Sequence, residues 1–248
     1  MIRKNILSLH LSSLKYNEAL EEIISLARRR QPSYICFANV HMVIEAYDNP
    51  IFAQKVNSAN LVLPDGMPLV ASLRKIYNIP QERIAGMDVF PDLLKLCTQN
   101  NLSIYLFGST QEVLNSILNR IKIELPGLKI AGACSPPFDK PINDEKYVRD
   151  IRLSGADMVF VALGCPKQEK WIAENSINIE GVLLGIGAAF PIYAKVQKMA
   201  PAFIRNNSLE WTYRLLQEPK RLLFRYSYTN TKFLILLFRQ FFNMKING

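Results

Sequence analysis

The chain has 248 residues, 49% of them hydrophobic, which places it at the upper edge of a single domain with enough apolar mass for a substantial core and excludes a disordered body. Thirty Lys and Arg against 21 Asp and Glu give a net charge of +9, and eight of those cations lie after residue 200 together with ten of the 25 aromatic residues. With only His10 and His41, and with Cys36, Cys97, Cys134 and Cys165 far apart, a histidine-rich metal cluster, a paired-cysteine metal site and a Ser-His-Asp arrangement have little to build on.

In chain order, the β-rich run ILSLHL comes first, too short and lacking the cleavage pattern for a signal peptide, so no export is expected. NEALEEIISLARRR follows, with Leu20, Ile23, Ile24 and Ala27 at helical spacing. SYICFA reads as a strand, HMVIEAY and IFAQKVNSA as helices, and LVL as a strand running into Pro64-Asp65-Gly66. Later come the strand SIYLFG, the helix TQEVLNSILNRIKIEL, the strand LKIAGA, the helix NDEKYVRDIRLS, the strand DMVFVALG, the helix PKQEKWIAEN and the strand EGVLLGIG. The apolar run 182–194 is broken by Gly185, Gly187 and Pro191, which suits a buried strand and loop. This alternation predicts an α/β protein with a Rossmann-like, mainly parallel sheet flanked by helices. It stops near Ala200-Pro201, the expected boundary between a core (1–200) and a C-terminal helical, membrane-associating appendage (201–248).

The appendage carries its eight cations against Glu210 and Glu218, a net of +6 that leaves +3 for the rest of the chain. EWTYRLLQEPKRLLFRY places Arg214, Arg221 and Arg225 at intervals of seven and four, so a helix interrupted near Pro219 groups them on roughly one side. A solvated basic face is the usual meaning of such spacing, yet the interleaved aromatics are poorly solvated unless they meet protein or lipid. An anionic membrane surface satisfies both, with apolar side chains among acyl chains and cations against lipid phosphates. The purest apolar run, Phe233 to Phe238, has six residues where a bilayer span needs about 20, so peripheral attachment is expected and a transmembrane helix is not.

Ligands of parallel sheets collect beyond the carboxyl ends of the strands, which directs attention to the loops just after them. Asp65 follows such a strand directly, and Pro64 and Gly66 fix a turn that aims it into the crevice as a general base; the plainer reading is an Asp that only hydrogen-bonds its own turn. In GCPKQEKW (164–171), Gly164 leads to Pro166 at the first turn of a helix whose free N–H groups suit a phosphate. Gln168 there offers a donor and an acceptor to a sugar hydroxyl or phosphate oxygen, Glu169 reads as a partner of the helix dipole, and Trp171 as core. Gly108-Ser109 belongs to half of a phosphate-binding turn, with a hydroxyl at the helix cap, and lacks the full GxGxxG or Walker spacing. Arg83, in ERIAGMD, is a fork suited to a diphosphate, or alternatively a surface ion pair.

Together PDGMPLV (64–70), ERIAGMD (82–88), ALGCPKQEKW (162–171), GIGAAF (185–190), MAP (199–201) and LEWTYRLLQEPKRLLFRY (209–226), with the ANVHM region at 38–42, resemble the WecG/TagA/CpsF family of bacterial glycosyltransferases in both order and spacing. The resemblance implies an inverting hexosyltransferase that moves a sugar from a UDP-sugar donor to a polyprenyl-diphosphate-linked acceptor in cell-surface polysaccharide synthesis, with no bound metal and no cofactor. It implies Asp65 as the base, Asn39 and Gln168 in the same pocket, Arg83 near the phosphates, and an appendage that closes the site at the membrane with Arg214, Arg221 and a third arginine at or beside Arg225. The implied location is the cytoplasmic face of the plasma membrane. Four positions depart from the family pattern: Pro191 stands for an expected Asp, Lys195 for a Gly, Phe37 for a hydroxyl-bearing residue and Pro137 for an aromatic one. They bear on the donor, for which the family suggests UDP-N-acetylmannosamine, its uronic acid or UDP-glucose.

Competing readings are a basic nucleic-acid binder, against which stands the lack of any RRM, KH or zinc signature, and a UDP-sugar epimerase, against which stands the lack of a GxGxxG fingerprint. A catalytically altered family member acting as a scaffold is the third. No nucleic-acid partner is expected, and a detached appendage would expose apolar surface that favours a homo-oligomer.

Overall fold

The computed structural model describes residues 2–137, 144–201, 203–204, 210–217 and 219–246. The opening run is a hairpin where one strand was expected: β1 (Arg3–Ile6) and β2 (Leu9–Ser12) pair antiparallel about Leu7, which turns the chain with a φ of 54°. The main sheet among the described residues has six strands, all parallel: β3 (Ser33–Ala38), β4 (Leu61–Pro64), β5 (Ser103–Gly108), β6 (Lys129–Cys134), β7 (Met158–Ala162) and β8 (Val182–Gly185), in the order β4-β3-β8-β7-β5-β6. The helices joining them are α1 (Tyr16–Arg29), α2 (Val40–Asp48), α3 (Pro50–Asn57), α4 (Met67–Tyr77), α5 (Gly86–Gln99), α6 (Gln111–Glu124), α7 (Asp144–Ser154), α8 (Lys167–Asn175) and α9 (Ala189–Tyr193).

Helices cover both sheet faces, so the residues of β3, β4, β7 and β8 are buried whichever way they point, while the edge strand β6 stays half-exposed. Ile35 and Phe37 of β3 join Leu106, Phe160 and Leu184 in one apolar layer, while Tyr34 and Cys36 join Phe107, Val161 and Leu183 in the other. The helices α4 and α5 occupy a stretch where the sequence suggested no element. Pro68 sits in the first turn of α4 and Pro91 lies inside α5, and these breakers obscure a helical recurrence of Leu69, Val70 and Leu73, then Val89, Phe90, Leu93 and Leu94, all of which are buried. The expected loop after β8 instead contains α9. All four cysteines are free, with Cys36 and Cys97 buried.

After Pro201 the described chain forms one helix over Glu210–Gln217 and a long one over Pro219–Ile246. The long helix lies along α2, and Leu222, Thr229 and Phe233, spaced by seven and four, are its buried residues among those described. Its outer side leaves Leu223, Phe224, Leu234, Phe238 and Ile246 exposed. Lys232 Nζ lies 2.5 Å from Asp48, the Tyr228 hydroxyl donates to the same carboxylate at 3.1 Å, and Gln240 spans the hairpin turn by accepting from the Leu7 N–H and donating to the Asn5 carbonyl, each at 2.9 Å. Among the described residues, no helix is long and apolar enough to cross a membrane.

Candidate active site

The parallel register sets the ends of β3 and β4 level, with Ala38 opposite Pro64, so the next residues, Asn39 and Asp65, emerge side by side. The Asp65 turn is held from several sides. Its N–H donates to the Ala38 carbonyl at 2.8 Å, the Ile84 N–H donates to the Pro64 carbonyl at 2.9 Å, and Arg83 Nη1 reaches the Asp65 carbonyl at 3.5 Å. Asn39 has a local duty as well: its Oδ1 accepts from the Met42 N–H at 3.1 Å and caps α2.

A cavity of 640 Å³ opens beyond the carboxyl ends of the strands, and Asn39, Asp65, Arg83, Ser109, Gly164 and Gln168 all line it. Sheet topology therefore gathers residues up to 129 positions apart, Asn39 to Gln168, into one wall. Gly108 is not in that wall. A Cβ on it would stand 2.5 Å from the Ala162 carbonyl oxygen, so the close approach its φ of 110° permits is to the neighbouring strand β7, not to a phosphate. The helix cap expected from this turn is Thr110, whose hydroxyl accepts from Val113, while Ser109 faces the cavity. Arg83 is buried to 14% exposure and pairs with Asp88 of α5, which fixes its fork at the cavity edge.

Gln168 is clamped. Its Oε1 accepts from the Gly164 N–H at 3.2 Å, and its Nε2 donates to Glu169 Oε1 at 2.6 Å. Glu169 itself is 1% exposed, not a solvated partner of the helix dipole, and its other oxygen, Oε2, is buried without a hydrogen bond. Burial pushes its carboxyl up to about 7, because charge there has no water to solvate it, while the hydrogen bonds from Gln168 and Cys165 pull weakly the other way. Burial likewise pushes the Cys165 thiol well above its usual range, and the nearby Glu169 adds to the effect. Trp171 is core as expected, its ring 4.5 Å from that of Phe107.

The tail contributes a further part of the lining: Trp211, Tyr226, Thr229, Asn230, Phe233 and Leu234. The side chains of Arg214, Arg221 and Arg225, expected near the leaving group, lie outside the described residues. Of the four departures from the family pattern, Phe37 and Pro191 line the cavity. Sequence reasoning missed His41, Cys165 and Glu169 as lining residues, although each stands within two positions of a residue it did select. It also missed Trp211, Tyr226 and Phe233, the first two of which lie in the segment 209–226 that was read for its arginines. Among the described residues, no three His, Cys, Asp or Glu side chains come together in a metal-binding group.

A carboxylate, two carboxamides, a guanidinium and open backbone at strand ends, facing one cavity, suit proton transfer from a hydroxyl together with binding of a phosphorylated ligand. An N-acetylglucosaminyldiphosphoundecaprenol N-acetyl-beta-D-mannosaminyltransferase of Bacillus spizizenii is 36% identical over 191 residues, covering 76% of this chain and 73% of the relative. Its namesake in Bacillus subtilis is 34% identical with 75% and 72% covered, and that of Staphylococcus aureus 29% identical with 76% and 74% covered. The family profile described as "Glycosyl transferase WecG/TagA/CpsF family" matches residues 4–247, so this chain belongs to that family of glycosyltransferases.

Proposed function

We propose that the protein transfers N-acetylmannosamine from a UDP-linked donor to a polyprenyl-diphosphate-linked N-acetylglucosamine, with inversion and without a bound metal. The observation that carries this reading is the placement of Asp65 in a cavity of the size of a nucleotide-sugar site, in a chain whose relatives bear the mannosaminyltransferase name. In this reading Asp65 accepts the proton of the acceptor hydroxyl as its oxygen bonds to the anomeric carbon. The bond from that carbon to the diphosphate oxygen breaks in the same displacement, and UDP leaves with the electron pair. Charge on the departing diphosphate falls to Arg83 and to Arg214, Arg221 and Arg225 of the tail, and Gln168 and Asn39 meet donor hydroxyl or phosphate oxygens.

The region 201–248 acts as an appendage to the 1–200 core and attaches peripherally to the cytoplasmic face of the plasma membrane. Its exposed Leu223, Phe224 and Phe238, set among cations, support that reading. The tail's place in the cavity wall supports a role in closing the site.

The test is to incubate the protein with a polyprenyl-diphosphate-linked N-acetylglucosamine and a panel of UDP-sugars. Transfer from UDP-N-acetylmannosamine, lost when residues 201–248 are deleted, is the expected result. Preference for UDP-glucose or the uronic acid would reassign the donor, and a silent panel would favour the scaffold reading.

A further inference from the structure

The tail wall holds a pair of rings to which neither the proton transfer nor the diphosphate assigns a task. Trp211 and Tyr226 meet edge to face, with ring centroids 6.2 Å apart and planes at 89°. Both line the cavity, yet among the described residues neither belongs to the two apolar layers of the core, and Trp211 is 40% exposed. A large ring left partly in water beside a cavity is costly unless something covers it. Asn230, one helical turn beyond Tyr226, lines the same cavity and brings a carboxamide next to the rings.

An aromatic face beside a carboxamide matches a pyranose, whose C–H face packs against the ring while its hydroxyls meet the amide. A uracil base would stack as well, and polarity along the wall decides between them. Leu234, one turn further on, both lines the cavity and is 64% exposed, and Ile235 and Phe238 beyond it are exposed as well. A ligand lying along this helix therefore meets rings and a carboxamide at one end and exposed apolar side chains at the other. A sugar linked to a prenyl chain has that polarity, and a nucleotide does not.

We propose that Trp211, Tyr226 and Asn230 form the subsite that holds the acceptor's sugar ring. This rests on the lipid-linked acceptor of the proposed function. The subsite lines the same cavity as Asp65, so an acceptor ring bound there shares one site with the carboxylate.

The test is steady-state kinetics of Trp211→Ala and Trp211→Phe with a short-chain prenyl-diphosphate N-acetylglucosamine. The alanine variant is expected to raise the acceptor KM about tenfold and leave the donor KM unchanged, and phenylalanine is expected to restore most of the loss. An unchanged acceptor KM, or a raised donor KM, would overturn the proposal. Fluorescence gives an independent arm, because the chain has two tryptophans and Trp171 is buried, leaving Trp211 as the one open to acrylamide quenching. Acceptor should protect it and UDP should not; protection by UDP alone, or by neither, would contradict the subsite. If wild-type protein transfers no sugar, the function reading falls by itself, and the quenching arm still decides the subsite.

Discussion

Asn39 and Asp65 leave neighbouring parallel strands at the same level, because Ala38 pairs with Pro64 and the Asp65 N–H donates to the Ala38 carbonyl at 2.8 Å. Two residues that are 26 positions apart thereby become side-by-side groups in one cavity wall. Backbone pairing, which does not depend on side-chain identity, does the positioning. Conservative replacement of Asp65 should accordingly change chemistry and leave the wall in place.

Glu169 sets a pH dependence. Its folded-state value of about 7 lies above its ordinary 4.5, so between these values the folded protein holds a proton that the unfolded chain has lost. Stability from this group is fully present below 4.5 and declines as pH rises through 7, by about 3 kcal/mol in total. Glu169→Gln keeps an acceptor for Gln168 and removes the titration. Urea unfolding at pH 5 and pH 8 should show the variant gaining on the wild type by most of that amount at the higher pH, whereas parallel pH curves would contradict the assignment.

Gly185→Ala tests the clamp on Gln168 from the strand side. The added Cβ would meet Gln168 Nε2 at 3.1 Å and Ile172 Cδ1 at 3.3 Å, so one of them must move. The expected outcome is a rise in donor KM with a stability loss of about 1–3 kcal/mol. Unaltered donor KM in a folded variant would show that the Gln168 amide does not meet the donor.

Gly108→Ala should act on folding. At a φ of 110°, with the Ala162 carbonyl 2.5 Å from the new Cβ, the substitution is expected to cost about 2–5 kcal/mol, measured by urea unfolding. A near-neutral result would contradict the close packing of β5 on β7.

The tail is held chiefly by burial. Phe233 is 2% exposed within the apolar layer, so Phe233→Ala should cost about 3–5 kcal/mol of docking. Limited proteolysis should then cut after residue 200 far faster than in the wild type. Asp48→Asn, which weakens the exposed pair with Lys232, should change docking far less than Phe233→Ala does. Equal effects of the two variants would overturn this ordering.

The parallel α/β order was legible in the sequence because β3, β5 and β7 are short apolar runs separated by helices with clear recurrence, such as Leu20, Ile23 and Ala27 in α1. The helices α4 and α5 were not, since Pro68 and Pro91 read as breakers when taken alone. Asp65 and Gln168 stood out because they sit just past strands, and Arg83 because its fork suits phosphate oxygens; all three line the cavity. Glu169 did not, because its burial depends on how α8 packs against the sheet, which local sequence does not encode. Trp211 and Tyr226 were hidden by the charge around them: a cationic segment suggests a surface, and only docking of the tail turns part of it into a cavity wall.

The central claim is that Asp65 removes the proton from the acceptor hydroxyl. The direct measurement is the single-turnover rate of sugar transfer from UDP-N-acetylmannosamine by wild type and Asp65→Asn, both substrates saturating, with donor binding measured separately by calorimetry. The account predicts a rate lower by about 10²–10⁴ in the variant with donor affinity retained. A variant that transfers sugar at the wild-type rate would contradict it.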